Sequence, residues 1–343
     1  MIQYWKEEAD MNGKRWVALA IAAGLFLMSV IVQITSTAAT TNWDEFFGDD
    51  EMLFEETVVD KGSRTGSGKI AVLNLEGVIQ DTGSGSMFTT TGYNHQHFLK
   101  MIDEAGEDRS VDGIILRVNS PGGGVVESAE IHKKIIDVQE ETGKPVYVSM
   151  GNTAASGGYY VAAPADKIVA NPATLTGSIG VIMESINYTE LADQLGIDFN
   201  TIKSGEYKDI MSASRKMTSE EKELLQAMVD ELYDEFVKVI VDGRDMSESK
   251  VRDLGDGRVY TGKQAKENEL VDELGTMEDT IAMMEEDYDL KGAKVIQYDA
   301  SFNFKQFMGA SAKSVFQSDS DLMKVMDQIR ESDGPRAMYL YSK

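Results

Sequence analysis

The sequence predicts an α/β fold with a parallel sheet. An apolar stretch at 111–118 is typical of a buried strand, and the glycine-rich turn at 119–124 follows it directly. Residues 126–142 then carry apolar side chains at helical spacing and stop at Gly143. A second apolar stretch, 144–148, comes next. Because the order is strand, turn, helix and strand, we expect two parallel strands joined by a right-handed crossover.

The other predicted elements alternate around this unit, as an α/β fold requires. Short apolar runs predict further strands at 70–75, 166–170, 176–183 and 293–298. Helical spacing or capping signals predict further helices at 97–105, 191–196, 218–242, 247–254, 277–287 and 311–331. The longest of these helices begins at a capping box formed by Thr218 and Glu221. The polar segment 203–217 predicts a loop.

Two glycine-rich turns, 120–124 and 151–158, follow predicted strands of this sheet. Ligands of parallel sheets bind beyond the carboxyl ends of the strands, so we expect the two turns to be neighbours. The second turn holds Ser156 between small residues, and an apolar run at 159–163 predicts a helix that begins beside it. This setting favours a serine nucleophile next to backbone N–H groups that hold an oxyanion. The alternative is a small-residue helix packed in the core.

An uncharged stretch near the N-terminus predicts a transmembrane anchor at 16–35. Its apolar part would span roughly 28 Å as a helix, close to the thickness of the hydrocarbon core of a bilayer. Lys14 and Arg15 precede it and acidic residues follow it, so the positive-inside rule places 1–15 in the cytoplasm and the rest of the chain outside. A cleaved signal peptide is the alternative, but the apolar run is long for one, and 37–39 is a poor cleavage site.

The remaining chain divides by composition. Residues 44–60 hold eight acidic side chains and no basic one, and a Gly/Ser-rich run follows them. These features predict an acidic stalk and linker at 36–68. The acidic run contains no calcium-loop motif, so it predicts no metal site. We expect the folded domain at 69–300, followed by a C-terminal helix and an extended tail at 301–343.

Charge and composition exclude several classes of function. The chain has 343 residues and a net charge of −25, which argues against nucleic-acid binding through a broad basic surface. It contains no cysteine, which excludes disulfides, thiolate catalysis and cysteine-ligated metals. Only three histidines are present, so few side chains are candidates for histidine chemistry.

A serine nucleophile needs a general base, and histidine is one choice. His132 would complete a Ser-His pair, but it lies on the predicted helix 126–142, more than one turn from its start. His95 and His97 stand beside a Gly/Ser/Thr-rich loop, and we expect both at the surface. Histidine is therefore a doubtful base in this chain.

Lysine is another base that is found with serine nucleophiles. Its ordinary pKa is about 10.4, so a catalytic lysine must be desolvated and kept away from carboxylates. Physical chemistry by itself leaves the choice among Lys203, Lys208 and Lys216 open.

Five separated motifs carry a resemblance to a known family. The segments LRVNSPGGGV, AASGGYYVAAPAD, TGSIGVI, SGEYKD and GRVYTGKQA occur in this order after the predicted anchor. Together they resemble the signal peptide peptidase A (SppA) family, in its short, Bacillus-type form, over residues 69 to about 275. The resemblance implies a ClpP/crotonase-like fold of repeated β-β-α units. It also implies a membrane-bound serine peptidase that degrades the signal peptides left after protein export.

The resemblance assigns roles to individual residues of this sequence. Ser156 matches the nucleophile, Lys208 matches the general base, and Ser178 matches a serine that hydrogen-bonds the lysine and orients it. The matching oxyanion-hole donors are backbone N–H groups of glycines, namely Gly123, or Gly122 in its place, and Gly157. No cofactor and no metal are implied. With one such set of motifs, the chain is expected to carry one site. We expect the dyad inside one subunit, and the alternative is a dyad completed by a neighbouring subunit.

The resemblance also implies self-association and an apolar substrate. Members of the family form closed rings with the sites inside a chamber, so we expect a homo-oligomer, an octamer for the short form. The substrate would be an extended apolar peptide paired with a strand edge at 180–183 or 124–126. The C-terminal segment 337–342 alternates small or apolar residues and is itself suited to such a groove. A frayed terminus or an edge strand is the alternative for this segment.

Two other classes of function share parts of this pattern. Acyl-CoA-binding proteins of the crotonase type have similar glycine-rich N–H groups, but the anchor and the lysine of SGEYKD argue against that class. A non-catalytic membrane scaffold is the second alternative. An intact pair of Ser156 and Lys208 argues against it.

Overall fold

A mostly parallel sheet forms the centre of the computed structural model, which describes residues 54–63, 66–81, 93–300 and 337–341 and the single positions 24 and 28. The chain divides into two compact units, 1–53 and 54–343, and the described elements belong to the second. The predicted anchor and the predicted helix at 311–331 fall outside the described residues, apart from positions 24 and 28. No helix within the described ranges is long and apolar enough to cross a membrane.

Eleven strands are present in the described part of the chain. They are β1 (Phe54–Asp60), β2 (Lys69–Glu76), β3 (Gly113–Ser120), β4 (Gly122–Gly124), β5 (Val146–Ala155), β6 (Lys167–Ala170), β7 (Leu175–Gly177), β8 (Val259–Thr261), β9 (Glu273–Leu274), β10 (Lys294–Ala300) and β11 (Met338–Leu340). The main path of the sheet runs β1-β10-β2-β3-β5-β6-β9. Strand β7 pairs with β5 and β8, and β11 pairs with β4 in a separate two-stranded sheet. The predicted α/β class is confirmed.

The helices begin and end at residues that explain them. They are α1 (His95–Glu107), α2 (Val125–Thr142), α3 (Gly157–Ala162), α4 (Thr189–Gln194), α5 (Ser219–Arg244), α6 (Glu248–Leu254), α7 (Gly262–Glu267) and α8 (Met277–Asp287), with a 3₁₀ turn at Glu206–Asp209. The predicted capping box starts α5, because the Thr218 side chain accepts from Glu221 N–H and the Glu221 side chain accepts from Thr218 N–H. Helix α2 ends at Gly143 in the left-handed conformation, also as predicted.

The central strands are buried on both faces, which explains their continuous apolar runs. Successive side chains of β3 point to opposite sides, so Ile114 and Leu116 join one core and Ile115 joins the other. The larger core receives α1, α2 and α5 through buried side chains that include Ile102, Ile131, Ile135, Phe236 and Ile240. The smaller core receives Met284 of α8. The sheet therefore has helices on both faces.

The two glycine-rich turns are neighbours, as predicted. Strands β3 and β5 are parallel from Ile114↔Val146 onward, and a register shift after Val118 brings Ser120 opposite Ala154. Both turns leave the same carboxyl edge of the sheet. Strand β5 is longer than the predicted 144–148, because it continues through the small residues that precede Ser156. Strand β7 is shorter than the predicted 176–183 and ends at Gly177, where φ is +77°.

Residues 54–60 correct the predicted stalk at 36–68. They form β1, which pairs antiparallel with β10 from Phe54↔Ala300 to Asp60↔Val295. Phe54 is 6% exposed and packs edge-on against the rings of His97 and Tyr298. An edge strand leaves its charged side chains at the solvent boundary, where Glu56 pairs with Lys69. Acidic composition therefore did not exclude a strand, and the folded domain includes Phe54.

His95 corrects a second prediction, because it is buried rather than at the surface. Its Nδ1 lies 2.6 Å from the Tyr93 hydroxyl, and its Nε2 lies 2.6 Å from Glu130 Oε2. Both ring nitrogens have hydrogen-bond partners, so burial leaves neither unsatisfied. His97 is exposed, as predicted.

A chain that begins at Lys69 should be less stable than one that begins at Leu53, because it lacks β1 and the burial of Phe54. Burying a phenylalanine contributes about 1.5–3 kcal/mol, and for a domain of this size each kcal/mol is worth about 2–4 °C in Tm. We expect a Tm lower by at least about 3 °C in thermal unfolding followed by circular dichroism. Val59→Thr, at an exposed position of the same strand, serves as the control and should leave Tm unchanged. Equal Tm values for the two chain lengths would contradict the role assigned to β1.

Candidate active site

Ser156 occupies a sharp turn between β5 and α3. Its φ is +54° and its ψ is −119°, a conformation that a non-glycine residue adopts only when its surroundings impose it. Its N–H donates to the Gly177 carbonyl at 2.7 Å, and its carbonyl accepts from the N–H groups of Tyr159 and Tyr160 at 2.9 Å. The residue is 1% exposed. A serine is therefore held in a strained conformation at the carboxyl edge of the sheet.

Strand β4 lies beside this turn, and Ile79 pairs with the opposite side of the strand. Ile79 N–H donates to the Gly122 carbonyl at 2.9 Å, and Gly124 N–H donates to the Ile79 carbonyl at 2.7 Å. Backbone groups alternate in direction along a strand, so the N–H of Gly123 points away from Ile79. A Cβ added to Gly157 would lie 3.1 Å from the Gly123 nitrogen, and one added to Gly122 would lie 2.6 Å from the Gly157 nitrogen. The N–H groups of Gly123 and Gly157 therefore lie close together beside Ser156.

Ser178 lies next to the same turn through its backbone. It follows Gly177, whose carbonyl accepts from Ser156, and β7 pairs with β5 at Ala155↔Gly177. Its own φ is +51°, and its N–H donates to the Arg258 carbonyl at 2.8 Å. Ser156, Ser178, Gly123 and Gly157 thus lie close together at the carboxyl edge of the sheet.

Lys208 is not brought to this group in the single chain. It lies on the 3₁₀ turn Glu206–Asp209 with an exposed side chain, and no hydrogen bond or ion pair joins it to Ser156 or Ser178 within the part of the chain that is described. The expectation of a dyad assembled within one subunit therefore finds no contact here.

The three candidate lysines differ in their partners. Lys203 Nζ lies 2.7 Å from Asp209 Oδ1, and Lys216 Nζ lies 2.7 Å from Glu190 Oε1. The hydrogen bond with Glu190 raises the pKa of Lys216, which stabilises its ammonium form. Lys208 has no carboxylate partner among the described residues.

His132 makes no hydrogen bond with Ser156 among the residues described. Its ring packs against Tyr160 with a centroid distance of 5.3 Å. Burial lowers the pKa of His132 to about 4, so the imidazole is neutral at pH 7. The Ser-His alternative therefore lacks the contact that it requires.

The C-terminal strand β11 occupies a groove beside Ser156. It pairs antiparallel with β4 at Met338↔Gly124, Tyr339↔Gly123 and Leu340↔Gly122. On its other side, Met338 exchanges two backbone hydrogen bonds of 3.1 Å with Ile182. The segment predicted to suit a substrate groove thus lies between the two strand edges predicted for substrate.

Tyr339 anchors this strand in a buried aromatic pocket. Its ring stacks on Tyr160 at 5.0 Å between centroids and contacts Phe236 at 4.6 Å, and its hydroxyl donates to the Leu232 carbonyl at 3.0 Å. Its carbonyl oxygen lies 2.1 Å from the position that a Gly122 Cβ would take, and that position is 2.6 Å from the Gly157 nitrogen. The Tyr339 carbonyl oxygen is therefore close to the backbone nitrogens of Gly123 and Gly157.

A cavity of about 510 Å³ continues beyond this strand. Ser178, Ile182, Asp230, Asp256, Leu340 and Tyr341 are among its lining residues. It lies on the side of the groove toward which the chain runs after Tyr339. An extended peptide longer than β11 has room there.

Sequence reasoning missed two supports of the site. One is Ile79, which forms backbone hydrogen bonds with β4 on the side away from Ser156. The other is Ser128, whose hydroxyl donates to the Gly124 carbonyl at 2.8 Å from one helical turn further on. The signal for Ser128 was its spacing of four residues from Gly124, which suits a hydroxyl bonded back to a carbonyl. Ile79 had no comparable signal, because its role comes from pairing with a distant strand.

Comparison with known proteins identifies the family. Residues 138–291 match the sequence profile of Peptidase family S49. Over 345 aligned positions the chain is 40% identical to a protein of Enterococcus faecium named for a signal peptide peptidase, SppA, covering 96% of this chain and 99% of that protein. The chain belongs to peptidase family S49.

Two other relatives of this S49 peptidase are longer and match it in part. Protease 4 of Haemophilus influenzae is 34% identical over 218 residues, which cover 64% of this chain and 34% of that protein. The chloroplastic serine protease SPPA of Arabidopsis thaliana is 29% identical over 281 residues, covering 80% and 41%. The chain is a serine peptidase, and this sets aside the acyl-CoA-binding and scaffold alternatives.

Gly157→Ala should inactivate the S49 peptidase without unfolding it. The added Cβ would lie 2.6 Å from Ser128 Oγ and 3.1 Å from the Gly123 nitrogen, so it displaces an N–H group of the site. Loss of one oxyanion donor lowers kcat by about 10²–10³-fold. The control is Gly143→Ala at the end of α2, whose Cβ would meet no atom within 4 Å. Its φ of +70° makes the substitution cost stability, but kcat should stay near normal. Steady-state kinetics with circular dichroism test this, and near-normal kcat in Gly157→Ala would show that the assignment is wrong.

Proposed function

We propose that this chain is a membrane-anchored serine endopeptidase that uses Ser156 and Lys208 to degrade remnant signal peptides and other apolar peptides after protein export. The observation that carries the proposal is β11 in the groove, where the carbonyl of an extended aromatic segment lies close to the N–H groups of Gly123 and Gly157. A substrate peptide would take the same path. The name of the Enterococcus relative supports signal peptides as the substrate class.

The chemistry follows from the roles of the groups. Neutral Lys208 removes the Ser156 proton as Oγ attacks the substrate carbonyl carbon, and the two N–H groups hold the oxyanion. The tetrahedral intermediate collapses, the C–N bond breaks, and the lysine ammonium gives its proton to the leaving amine. Water then gives a proton to Lys208 and attacks the acyl-enzyme. Release of the acid returns that proton to Ser156.

In this scheme Ser178 orients the lysine. Ser178 directly follows Gly177, whose carbonyl accepts a hydrogen bond from Ser156 N–H. A lysine ammonium that reaches Ser156 would therefore also be near Ser178. A hydroxyl accepts from an ammonium or donates to an amine, so it serves both protonation states of Lys208.

The groove suits apolar substrates. Its pocket for the Tyr339 ring is formed by Tyr160 and Phe236, and Ile182 supplies a strand edge. Main-chain pairing on both sides supplies affinity that is independent of side chains, while the pocket selects one bulky residue. The hydrophobic cores of signal peptides meet both requirements.

A second copy of the chain is proposed to supply Lys208. The segment 183–217 that carries it exposes large apolar side chains, which in a monomer would face water. They are Ile186, Tyr188, Leu191, Leu195, Ile197, Phe199 and Ile202. Self-association would cover these side chains and bring the lysine of one copy to the serine of another. A closed ring, an octamer by the family resemblance, satisfies both requirements and encloses the sites.

The anchor is proposed from the sequence. Residues 16–35 are uncharged and long enough to span a bilayer, with cations on their N-terminal side. This arrangement places 1–15 in the cytoplasm and the peptidase domain outside, on the face of the membrane where exported proteins leave their signal peptides.

Ser156→Ala and Lys208→Ala should each lower hydrolysis of an apolar signal peptide by at least about 10³-fold, because either change removes one partner of the dyad. Lys216→Ala, which removes a solvent-exposed lysine of the same segment, is the matched control and should retain activity. Cleavage is read by mass spectrometry of the products. Full activity in Ser156→Ala or Lys208→Ala would refute the proposed mechanism.

Co-expression of these two inactive variants tests where the dyad forms. If the lysine comes from a second copy, random mixing restores roughly a quarter of the wild-type activity, because only some pairs of neighbours combine both intact residues. If both residues act within one chain, the mixed oligomer stays inactive. The second result would exclude the second copy and leave the Ser/Lys mechanism intact.

Deleting residues 337–343 should raise kcat/KM for a short apolar peptide, because a tethered segment competes with substrate at a high effective concentration. We expect an increase of about 10-fold, and deletion of 342–343 alone, which leaves β11 in place, is the control. Mass spectrometry of the purified chains shows in parallel whether the tail is trimmed in the wild type and intact in Ser156→Ala. Unchanged activity together with intact C-termini in both chains would rule out an inhibitory or self-processed tail.

A further inference from the structure

Arg215 is the centre of an ion-pair cluster in the segment that carries Lys208, and this cluster includes Lys203, Asp209 and Glu221. Its Nε lies 2.9 Å from Asp209 Oδ2, and its Nη2 lies 2.6 Å from Asp209 Oδ1. Its Nη1 donates to Glu221 Oε2 at 2.8 Å, and Nη2 also donates to Glu221 Oε1. The guanidinium therefore bridges the residue next to Lys208 and the start of α5 with paired hydrogen bonds on both sides.

We propose that Arg215 is a positioning residue that ties the turn carrying Lys208 to α5 and neutralises the carboxylate beside that lysine. This rests on the proposed role of Lys208 as the general base. Nothing in the motifs that carry the family resemblance includes Arg215, which follows SGEYKD by six residues.

Arg215 attaches the turn that carries Lys208 to α5. Glu221 is 2% exposed and is also a member of the capping box at the first turn of this helix. The guanidinium additionally donates to the Asp209 backbone carbonyl at 3.0 Å. Between these two anchors the chain reverses at Met211, where φ is +63°. A strained reversal persists only when the surrounding contacts impose it, and Arg215 supplies several of them.

Arg215 also neutralises the negative charge of Asp209. A catalytic lysine must lose its proton near neutral pH, and an adjacent free carboxylate would oppose this by stabilising the ammonium. Here the hydrogen bonds from Arg215 and Lys203 hold the pKa of Asp209 well below its usual range, so the carboxylate is charged but paired with two cations. The bond from Arg215 likewise lowers the pKa of Glu221 to about 2.

Other charged groups lie on or near the turn. Glu206 lies on the turn itself, and the hydroxyl of Tyr207 donates to Glu220 Oε1 at 2.7 Å. Lys216 pairs with Glu190 of α4. The cluster of Lys203, Asp209, Arg215 and Glu221 sums to zero charge, so removing one member changes the potential at Lys208 with a sign that is known in advance.

Two substitutions should move the acidic limb of the pH profile of kcat/KM in opposite directions. That limb reports the pKa of the base in the free enzyme. Arg215→Gln leaves the Asp209 charge less neutralised, which favours the ammonium, so the limb should move up by about one pH unit. Asp209→Asn leaves Arg215 and Lys203 in excess, which disfavours the ammonium, so the limb should move down. The double variant should return near the wild-type position.

The experiment uses the full chain in detergent and a fluorogenic apolar peptide from pH 5 to 10. Arg252→Gln is the matched control, because Arg252 also bridges two carboxylates, those of Asp234 and Glu248, but lies on α6. Its limb should not move. Shifts of the same sign in Arg215→Gln and Asp209→Asn, or no shift in either, would overturn the proposal. A lower kcat in Arg215→Gln with an unmoved limb would reduce the residue to a structural role and overturn it as well.

The outcome for Lys208→Ala separates this inference from the proposed function. If Lys208→Ala is active, the base is another group, and both proposals fail. If Lys208→Ala is inactive and the two limbs do not shift as described, only the role of Arg215 fails. Should Arg215→Gln not fold, the downward shift in Asp209→Asn remains the deciding measurement.

Discussion

The hydrogen bond from Ser156 N–H to the Gly177 carbonyl is the interaction on which the site depends. It holds a serine at φ +54°, which the residue would otherwise leave for a more favourable conformation. The same bond fastens the end of β5 to the end of β7, so it also sets the place of Ser178.

Small residues around Ser156 are required by how closely the backbone segments approach. A Cβ on Gly157 or Gly122 would lie within about 3 Å of backbone atoms across the site, and one on Gly123 would lie 1.9 Å from the Ile79 carbonyl oxygen. Three segments distant in sequence thus share a space that admits no side chain. The proximity of the Gly123 and Gly157 nitrogens is a product of this packing, because Ile79 occupies the opposite side of β4.

The groove beside Ser156 is covered by a segment of the same chain. It presents two strand edges and an aromatic pocket, and β11 of the same chain covers them. Exposed strand edges invite pairing with other chains, so a tail that occupies them protects the folded protein. The apolar side chains of segment 183–217 have no such cover within the described chain, which is why a second copy is proposed there.

Much of this arrangement was predictable from the sequence. The order of strand, glycine-rich turn and helix determined the α/β class and the adjacency of the two turns, because parallel strands place their carboxyl ends at one edge. The ordered motifs singled out Ser156, Ser178, Gly123 and Gly157, which the structure places together. The capping box at Thr218 and the glycine end of α2 were also predicted, since both depend on local hydrogen bonds.

The tertiary structure decided what local sequence does not determine. Segment 54–60, the end of the acidic run, forms an edge strand because it pairs with β10. His95 is buried because Tyr93 and Glu130 form hydrogen bonds with its two ring nitrogens. The pairing of Ile79 with β4 and the hydrogen bond from Tyr339 to Leu232 join residues more than 40 positions apart, so no spacing in the sequence predicts them. The sequence by itself determined which residue types carry the chemistry. Only the fold decided which of them meet, because contacts between distant segments depend on the packing of the whole sheet.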